Sequence, residues 1–431
     1  MVRRVVILAA FILVFVAGFL LNGRLTSVSG QAPAGLPAGV VVQKGGQEQF
    51  GHYEPVPNWP KPLTQLPGHE KWTWGAHQGI FAQNPNRVFV IQRGELPDLR
   101  RPRNTPVPSF GPSLSFPVNQ VPFRNASQGP VASPPTGGGT GGVPNWGNDA
   151  GKEGVDYRWE HLVYVVDAQG NVNFENWAQW DKAMMRPHSV YINPYDPEKH
   201  VWIVDDGRHT VLKFTNDGSK LVQTIGTQDV PGSDGAHFNR PTFLTWLPDS
   251  TLFVADGYNG SRVAKFDKDG KFLATWGQQG DRGKETRPSY FNSVHGIATD
   301  PKTRRVYVND RENKRIQVFD ENGKFLDQWW IGVGAAHVYS VYMASDGYFW
   351  GSDAGTFQFV KWDLNGKYQY SFGFLGDSLG AIFAVHQMSV DQEGNLYTAE
   401  TAGGRAQKFR PLRGADPAKL VGKPVIGAWR D

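Results

Sequence analysis

Glycine turns recur along this chain at a spacing that admits few architectures. They read Ala168-Gln169-Gly170-Asn171, Asn216-Asp217-Gly218-Ser219, Lys268-Asp269-Gly270-Lys271, Glu321-Asn322-Gly323-Lys324 and Leu364-Asn365-Gly366-Lys367, with a weaker copy around Gly414. Successive glycines are 48, 52, 53, 43 and 48 residues apart. Each interval holds short apolar runs. The second ends on an acid, as in Leu252-Phe253-Val254-Ala255-Asp256, and the third ends in pairs such as Lys213-Phe214, Lys265-Phe266 and Lys361-Trp362. The fourth ends on an apolar residue and Gly, as in Thr224-Ile225-Gly226 and Ser371-Phe372-Gly373. Four strands per unit over six units predict an all-β, six-bladed β-propeller. Trp72-Thr73-Trp74-Gly75 resembles a fourth strand with no unit before it, and is expected to close the ring against the last blade.

Two segments stand outside the repeat. Val5 to Leu21 is an apolar run of 17 residues between Arg3-Arg4 and Asn22-Gly23-Arg24, which predicts a secretory signal or membrane-anchor helix over residues 1–24. The Pro- and Gly-rich residues 25–71 are then a linker, and the propeller occupies 72–431. Residues 96–155, rich in Pro, Gly and Ser, interrupt blade 1 between its second and third strands, either as a surface excursion or as a cover over part of the site. This organisation places the body outside the cytoplasm, periplasmic or extracellular, tied to the membrane by residues 5–21 if they are retained.

Composition removes several function classes. The 431 residues include no Cys, which excludes disulfides, thiolate metal sites and cysteine nucleophiles, so any metal sits on His, carboxylate or backbone oxygen. There are 44 Lys and Arg against 40 Asp and Glu, and setting aside Arg3, Arg4 and Arg24 leaves 41 against 40. So neutral a body argues against nucleic acid as a partner.

When the first strands are aligned by their apolar alternation, one position comes into register in every blade: Gln78, His188, Thr242, His295, Tyr339 and His386. Histidine stands in blades 2, 4 and 6, which lie 120° apart in a sixfold ring. Three imidazoles at one height on channel-lining strands predict a tripod metal site that leaves a position open for water or substrate. His337, two residues before the register in blade 5, is a competing ligand on the same strand face. The turns after the second strands read Gln92-Arg93-Gly94, Asp256-Gly257-Tyr258 and Asp310-Arg311-Glu312, so Arg93, Tyr258 and Arg311 border the same face. Arg suits a carboxylate, and a Tyr beside Arg and a metal can act as a base.

Asn239-Arg240-Pro241-Thr242, Ala255-Asp256-Gly257-Tyr258-Asn259-Gly260-Ser261-Arg262 and Asp310-Arg311-Glu312-Asn313-Lys314-Arg315 resemble the peptidyl-α-hydroxyglycine α-amidating lyases, six-bladed propellers of the NHL-repeat type. The resemblance runs from about Trp72 to Phe409 without the insertion. It implies zinc on His188, His295 and His386, a catalytic Tyr258 and active-site Arg93 and Arg311. The implied reaction cleaves the N–C bond of a carbinolamide, from a small-molecule or peptide substrate, to an amide and glyoxylate. Zinc would bind the substrate hydroxyl or carboxylate, Tyr258 would take the hydroxyl proton, Arg311 would stabilise the phenolate and Arg93 would grip the carboxylate. The family's structural calcium rests partly on an Asp where this chain has Gln387, which puts Ca2+ in doubt, although a backbone oxygen near Val190 could contribute. A monomer is expected. The alternative is a non-catalytic envelope propeller that binds a protein or glycan. A calcium-dependent lactonase-type hydrolase lacks its carboxylate set here.

Overall fold

In a computed structural model of the chain, the described residues are 49–98, 105–106, 115–116, 157–332 and 334–429. Six four-stranded antiparallel sheets are arranged as blades, each led by the strand that lines the axis. Blade 1 holds His77–Asn84, Arg87–Gln92, Val163–Val166 and Val172–Asn173. Blade 2 holds Pro187–Ile192, Val201–Asp205, Thr210–Phe214 and Leu221–Ile225, and blade 3 holds Pro241–Trp246, Leu252–Asp256, Arg262–Phe266 and Phe272–Trp276. Blade 4 holds Val294–Thr299, Val306–Asp310, Arg315–Phe319 and Phe325–Trp330, and blade 5 holds Val338–Met343, Phe349–Asp353, Gln358–Trp362 and Tyr368–Phe372. Blade 6 holds Val385–Val390, Leu396–Glu400 and Arg405–Pro411, and its outer strand is Tyr53–Pro55.

The strand patterns follow from position. Second strands such as Val201–Asp205 are buried along their whole length, because a blade neighbours each face, and they read as unbroken apolar runs. Outer strands such as Leu221–Ile225 and Phe272–Trp276 alternate between covered and exposed residues, because their rims meet water. Six apolar clusters fill the six blade-to-blade interfaces, the last joining Tyr397 and Ala399 of blade 6 to Ile80, Val88 and Val90 of blade 1. Cutting one anchor, as in Phe349→Ala, removes about 3–5 kcal/mol of packing. The turn glycines are required where aromatics press on them. Gly323 (φ 86°) and Gly366 (φ 81°) sit so close to Trp276 and Trp329 that a Cβ would lie 2.7 and 2.2 Å from ring carbons. Before Gly323, Asp320 Oδ1 accepts the N–H groups of Asn322 and Lys324, both at 2.9 Å, and so fixes the turn.

Ring closure differs from the expectation. Tyr53–Pro55 pairs with Arg405–Pro411, Tyr53 opposite Pro411 and Pro55 opposite Phe409. This edge of blade 6 is therefore taken by a segment expected to be linker, and the propeller body begins well before residue 72. Trp72–Trp74 pairs instead with Glu95–Pro97, Trp74 stacking on Tyr164 at 4.6 Å and Trp72 lying 4.0 Å from the Arg158 guanidinium. The insertion does fall between the second and third strands of blade 1, which pair directly, Val88 opposite Val166. Most of 96–155 lies outside the described residues, and so does the apolar run 5–21. Among the described residues no helix is long and apolar enough to cross a membrane.

Each first strand carries an irregularity at its axis end. Register slips between His77 and Gly79, Pro187 and Ser189, Pro241 and Leu244, Val294 and Ile297, Val338 and Ser340, and Val385 and Gln387. The skipped residues include Gln78, His188, Thr242, His295, Tyr339 and His386. A bulge removes a residue from the ladder and re-aims its side chain. In blades 2, 4 and 6 it brings the side chains of His188, His295 and His386 together.

Candidate metal centre

His188, His295 and His386 meet at the axis, all buried, with ring centroids 4.5–5.2 Å apart. One ring nitrogen from each lies within 4.8 Å of the others. The backbone sets their orientation. His188 Nδ1 faces Thr242 O at 2.9 Å, His295 Nδ1 faces Tyr339 O at 2.7 Å and His386 Nδ1 faces Gln78 O at 2.6 Å. Each acceptor belongs to the bulge of the following blade. A carbonyl only accepts, so each Nδ1 carries the proton and each Nε2 presents a lone pair. Phe243 packs against all three rings at 5.0–5.3 Å. Burial pushes the His386 imidazolium down to about 3, with the charges of Arg93, Arg311 and Arg186 adding and the Gln78 carbonyl opposing. His188 and His295 are likewise held well below 6.5, first by burial and then by their cationic and imidazole neighbours. Neutral rings with inward lone pairs fit a divalent cation.

Tyr258 lies over this tripod. Its Oη is 3.0 Å from His188 Nε2 and 3.1 Å from His295 Nε2, while His386 Nε2 is buried without a hydrogen bond. Three guanidiniums flank the phenol ring, with Cζ of Arg240, Arg311 and Arg186 at 4.5, 5.3 and 5.7 Å from its centroid. Arg311 also donates to Glu312 Oε1 at 3.2 Å. Arg93 is buried, its Nη2 3.7 Å from Asp206 Oδ1, and burial with Arg186 brings it down to about 9 against the pull of Asp206 and Tyr258. Arg186 and Arg240 also hold Asp206, Arg240 Nη2 at 2.9 Å, and together with Arg93 they outweigh burial and keep that carboxylate ionised.

Arg186 and Asp206 were not singled out from the sequence, and Arg240 stood only within a quoted motif with no role given to it, although a signal existed. Asp206 follows the blade-2 acid Asp205 as Arg311 follows Asp310. Arg186 and Arg240 each precede the proline that opens a first strand. His337 does not join the tripod, because its Nε2 lies 3.3 Å from Glu312 Oε1. Gln387 fits no calcium site. Its Nε2 donates to Val190 O at 2.9 Å and its Oε1 accepts from Val190 N at 3.2 Å and Ile80 N at 3.3 Å, so both ends of the amide, and the Val190 oxygen, are engaged.

A second histidine cluster lies at the base of the insertion. Glu95 Oε2 meets His69 Nδ1 at 3.0 Å and Arg158 Nη2 at 2.9 Å, and Glu95 Oε1 meets His161 Nδ1 at 2.7 Å. Glu95 is fully buried and its backbone bridges to Arg158 across the two ends of the insertion. A guanidinium already occupies the carboxylate, and both Nδ1 atoms face it, so these residues read as an ion-paired clasp.

Known proteins agree with this architecture. The NHL repeat model matches residues 291–319. NHL repeat-containing protein 3 of Mus musculus is 30% identical over 259 residues, 56% of this chain and 71% of that protein. The chain belongs to the NHL-repeat proteins. Among these proteins it is similar, over part of its length, to the amidating lyases. The probable peptidyl-alpha-hydroxyglycine alpha-amidating lyase of Caenorhabditis elegans is 38% identical over 133 residues, 31% of this chain and 36% of that protein. Peptidyl-glycine alpha-amidating monooxygenase A of Xenopus laevis is 29% identical over 281 residues, 61% of this chain and 28% of that protein. The matched region thus spans well under half the length of either amidating relative.

Proposed function

We propose that this protein is a zinc-dependent carbon–nitrogen lyase, exported to the periplasm or beyond and acting as a monomer on a carbinolamide of the α-hydroxyglycine type. The observation that carries the reading is the set of three Nε2 lone pairs fixed by backbone carbonyls directly beneath a phenol oxygen. The similarity to amidating lyases supports the reaction class, and the apolar run 5–21 behind Arg3 and Arg4 supports export.

His188, His295 and His386 hold the ion, which when bound supplies a positive centre for the substrate's oxygens. Tyr258 Oη accepts the proton of the substrate hydroxyl. The hydroxyl-bearing carbon becomes a carbonyl as its C–N bond breaks, and the departing nitrogen takes the bonding pair and then the proton that the Tyr258 phenolate has accepted. Arg311, Arg240 and Arg186 stabilise negative charge on the phenol ring. Arg93 grips the substrate carboxylate as a guanidinium fork. The products are an amide and glyoxylate.

The test is glyoxylate release from an α-hydroxyglycine derivative by zinc-loaded protein. Tyr258→Phe should lose on the order of a hundredfold or more in kcat. Unchanged turnover in both His188→Ala and Tyr258→Phe would contradict the proposal. An inert wild-type protein would favour the binding propeller.

A further inference from the structure

The reading above leaves open which amide departs, and a cavity adjoins Tyr258. A cleft of about 320 Å³ opens between blades 3 and 4, with Tyr258 in its wall. The phenol whose oxygen touches His188 and His295 therefore also borders this space. Volume on this scale suits a fragment of roughly ten non-hydrogen atoms, at about 30 Å³ per water-sized group.

Its walls select by polarity. Besides Tyr258, every lining residue is polar or charged: Asn259, Gln279 and Asn292 carry amides, Ser293 a hydroxyl, and Arg282 and Glu312 form an ion pair at 2.9 Å. Binding pockets are more often lined by apolar and aromatic groups. Ser293 is 7% exposed, and its Oγ makes no hydrogen bond within the protein. A buried hydroxyl without a partner costs about 1–3 kcal/mol, a cost that a ligand's hydrogen bond would remove. Glu312 is pushed up by burial, but His337 at 3.3 Å and the charges of Arg311 and Arg282 outweigh this and hold it down to about 2. It is therefore a carboxylate at neutral pH, which only accepts hydrogen bonds.

We propose that this cleft binds the amide half of the substrate, that it is built for a hydrophilic fragment carrying N–H donors beyond the scissile nitrogen, and that Ser293 is the residue that recognises it. An N-carbamoyl group, as in a ureide, is the smallest fragment of this class. An apolar acyl group such as benzoyl leaves the Ser293 Oγ without a partner. This inference rests on the lyase reading.

The experiment compares N-carbamoyl- and N-benzoyl-α-hydroxyglycine as substrates of the full-length, zinc-loaded protein and of Ser293→Ala. Wild type should prefer the carbamoyl substrate by at least tenfold in kcat/KM. Ser293→Ala should lose about tenfold on that substrate, the effect of one hydrogen bond, with little change on the benzoyl compound. Turnover of both substrates with a benzoyl preference, or an equal loss on both in Ser293→Ala, would overturn the subsite while leaving the lyase reading intact. Failure to release glyoxylate from either substrate would overturn both.

Discussion

Among the described residues, two clusters containing histidine each bring three ligand atoms within 4.8 Å of one another, and they are built on opposite principles. At the hub, three blades of one repeat each supply one imidazole from a bulge, and each Nδ1 is held by a carbonyl of the next blade. Beside the insertion, His69 and His161 come from irregular segments, and each turns Nδ1 to the Glu95 carboxylate that Arg158 also holds. Nitrogen-to-nitrogen distance does not separate the two. What does is which atoms face inward: at the hub each Nδ1 is spent on a carbonyl and three Nε2 atoms turn to one point, whereas beside the insertion the Nδ1 atoms themselves face a carboxylate that Arg158 Nη2 already holds at 2.9 Å.

The largest effect expected from this contrast is at the hub. His188→Ala should lose the bound metal and reduce glyoxylate release by on the order of a thousandfold, since a ligand and the orientation of the site go together. His161→Ala should keep its full metal content by elemental analysis. If the two variants lost metal equally, the contrast would collapse.

Next comes the clasp. Glu95→Gln leaves Arg158 and two histidines without their buried carboxylate and should destabilise the protein by about 3 kcal/mol, read as a lowered urea midpoint. Metal content should not change.

A smaller effect follows from His77, which is buried with Nδ1 on Gly75 O and Nε2 against the Tyr164 hydroxyl, and which burial pushes down to about 3. The unfolded chain titrates this group near 6.5, so between about 6.5 and 3 the unfolded state binds the extra proton. The stability it contributes is full above about pH 6.5 and is lost as pH falls towards 3, at no more than about 1.4 kcal/mol per pH unit. Urea titrations of metal-free protein at pH 7 and pH 5 would measure the slope, and His77→Asn should flatten it.

The smallest effect is a null. With Gln387 engaged at both ends, the melting temperature should not move when calcium is added or chelated.

How much of this was legible in the sequence follows from what repeats. The strand pattern, the turn glycines and the shared position of His188, His295 and His386 come from a unit copied around a ring, so alignment of the copies brought them together. The bulges that aim those side chains leave no compositional mark. Asp206 was legible in principle, since it extends the series of Arg93 and Arg311, but an acid beside another acid reads as an ordinary turn. Trp72-Thr73-Trp74-Gly75 misled because it shares Thr-Trp-Gly with the true outer strand ending at Trp276, whereas the segment that closes blade 6, Tyr53-Glu54-Pro55, has no repeat signature. His69, Glu95 and His161 come from segments that belong to no repeat, so no register could place them side by side.

The most direct test of the central claim is X-ray absorption at the zinc edge of loaded, full-length protein. Three imidazole nitrogens at about 2.0–2.1 Å, with a spectrum unchanged in Glu95→Gln, is the result predicted here. A carboxylate in the coordination shell that disappears in Glu95→Gln would contradict it.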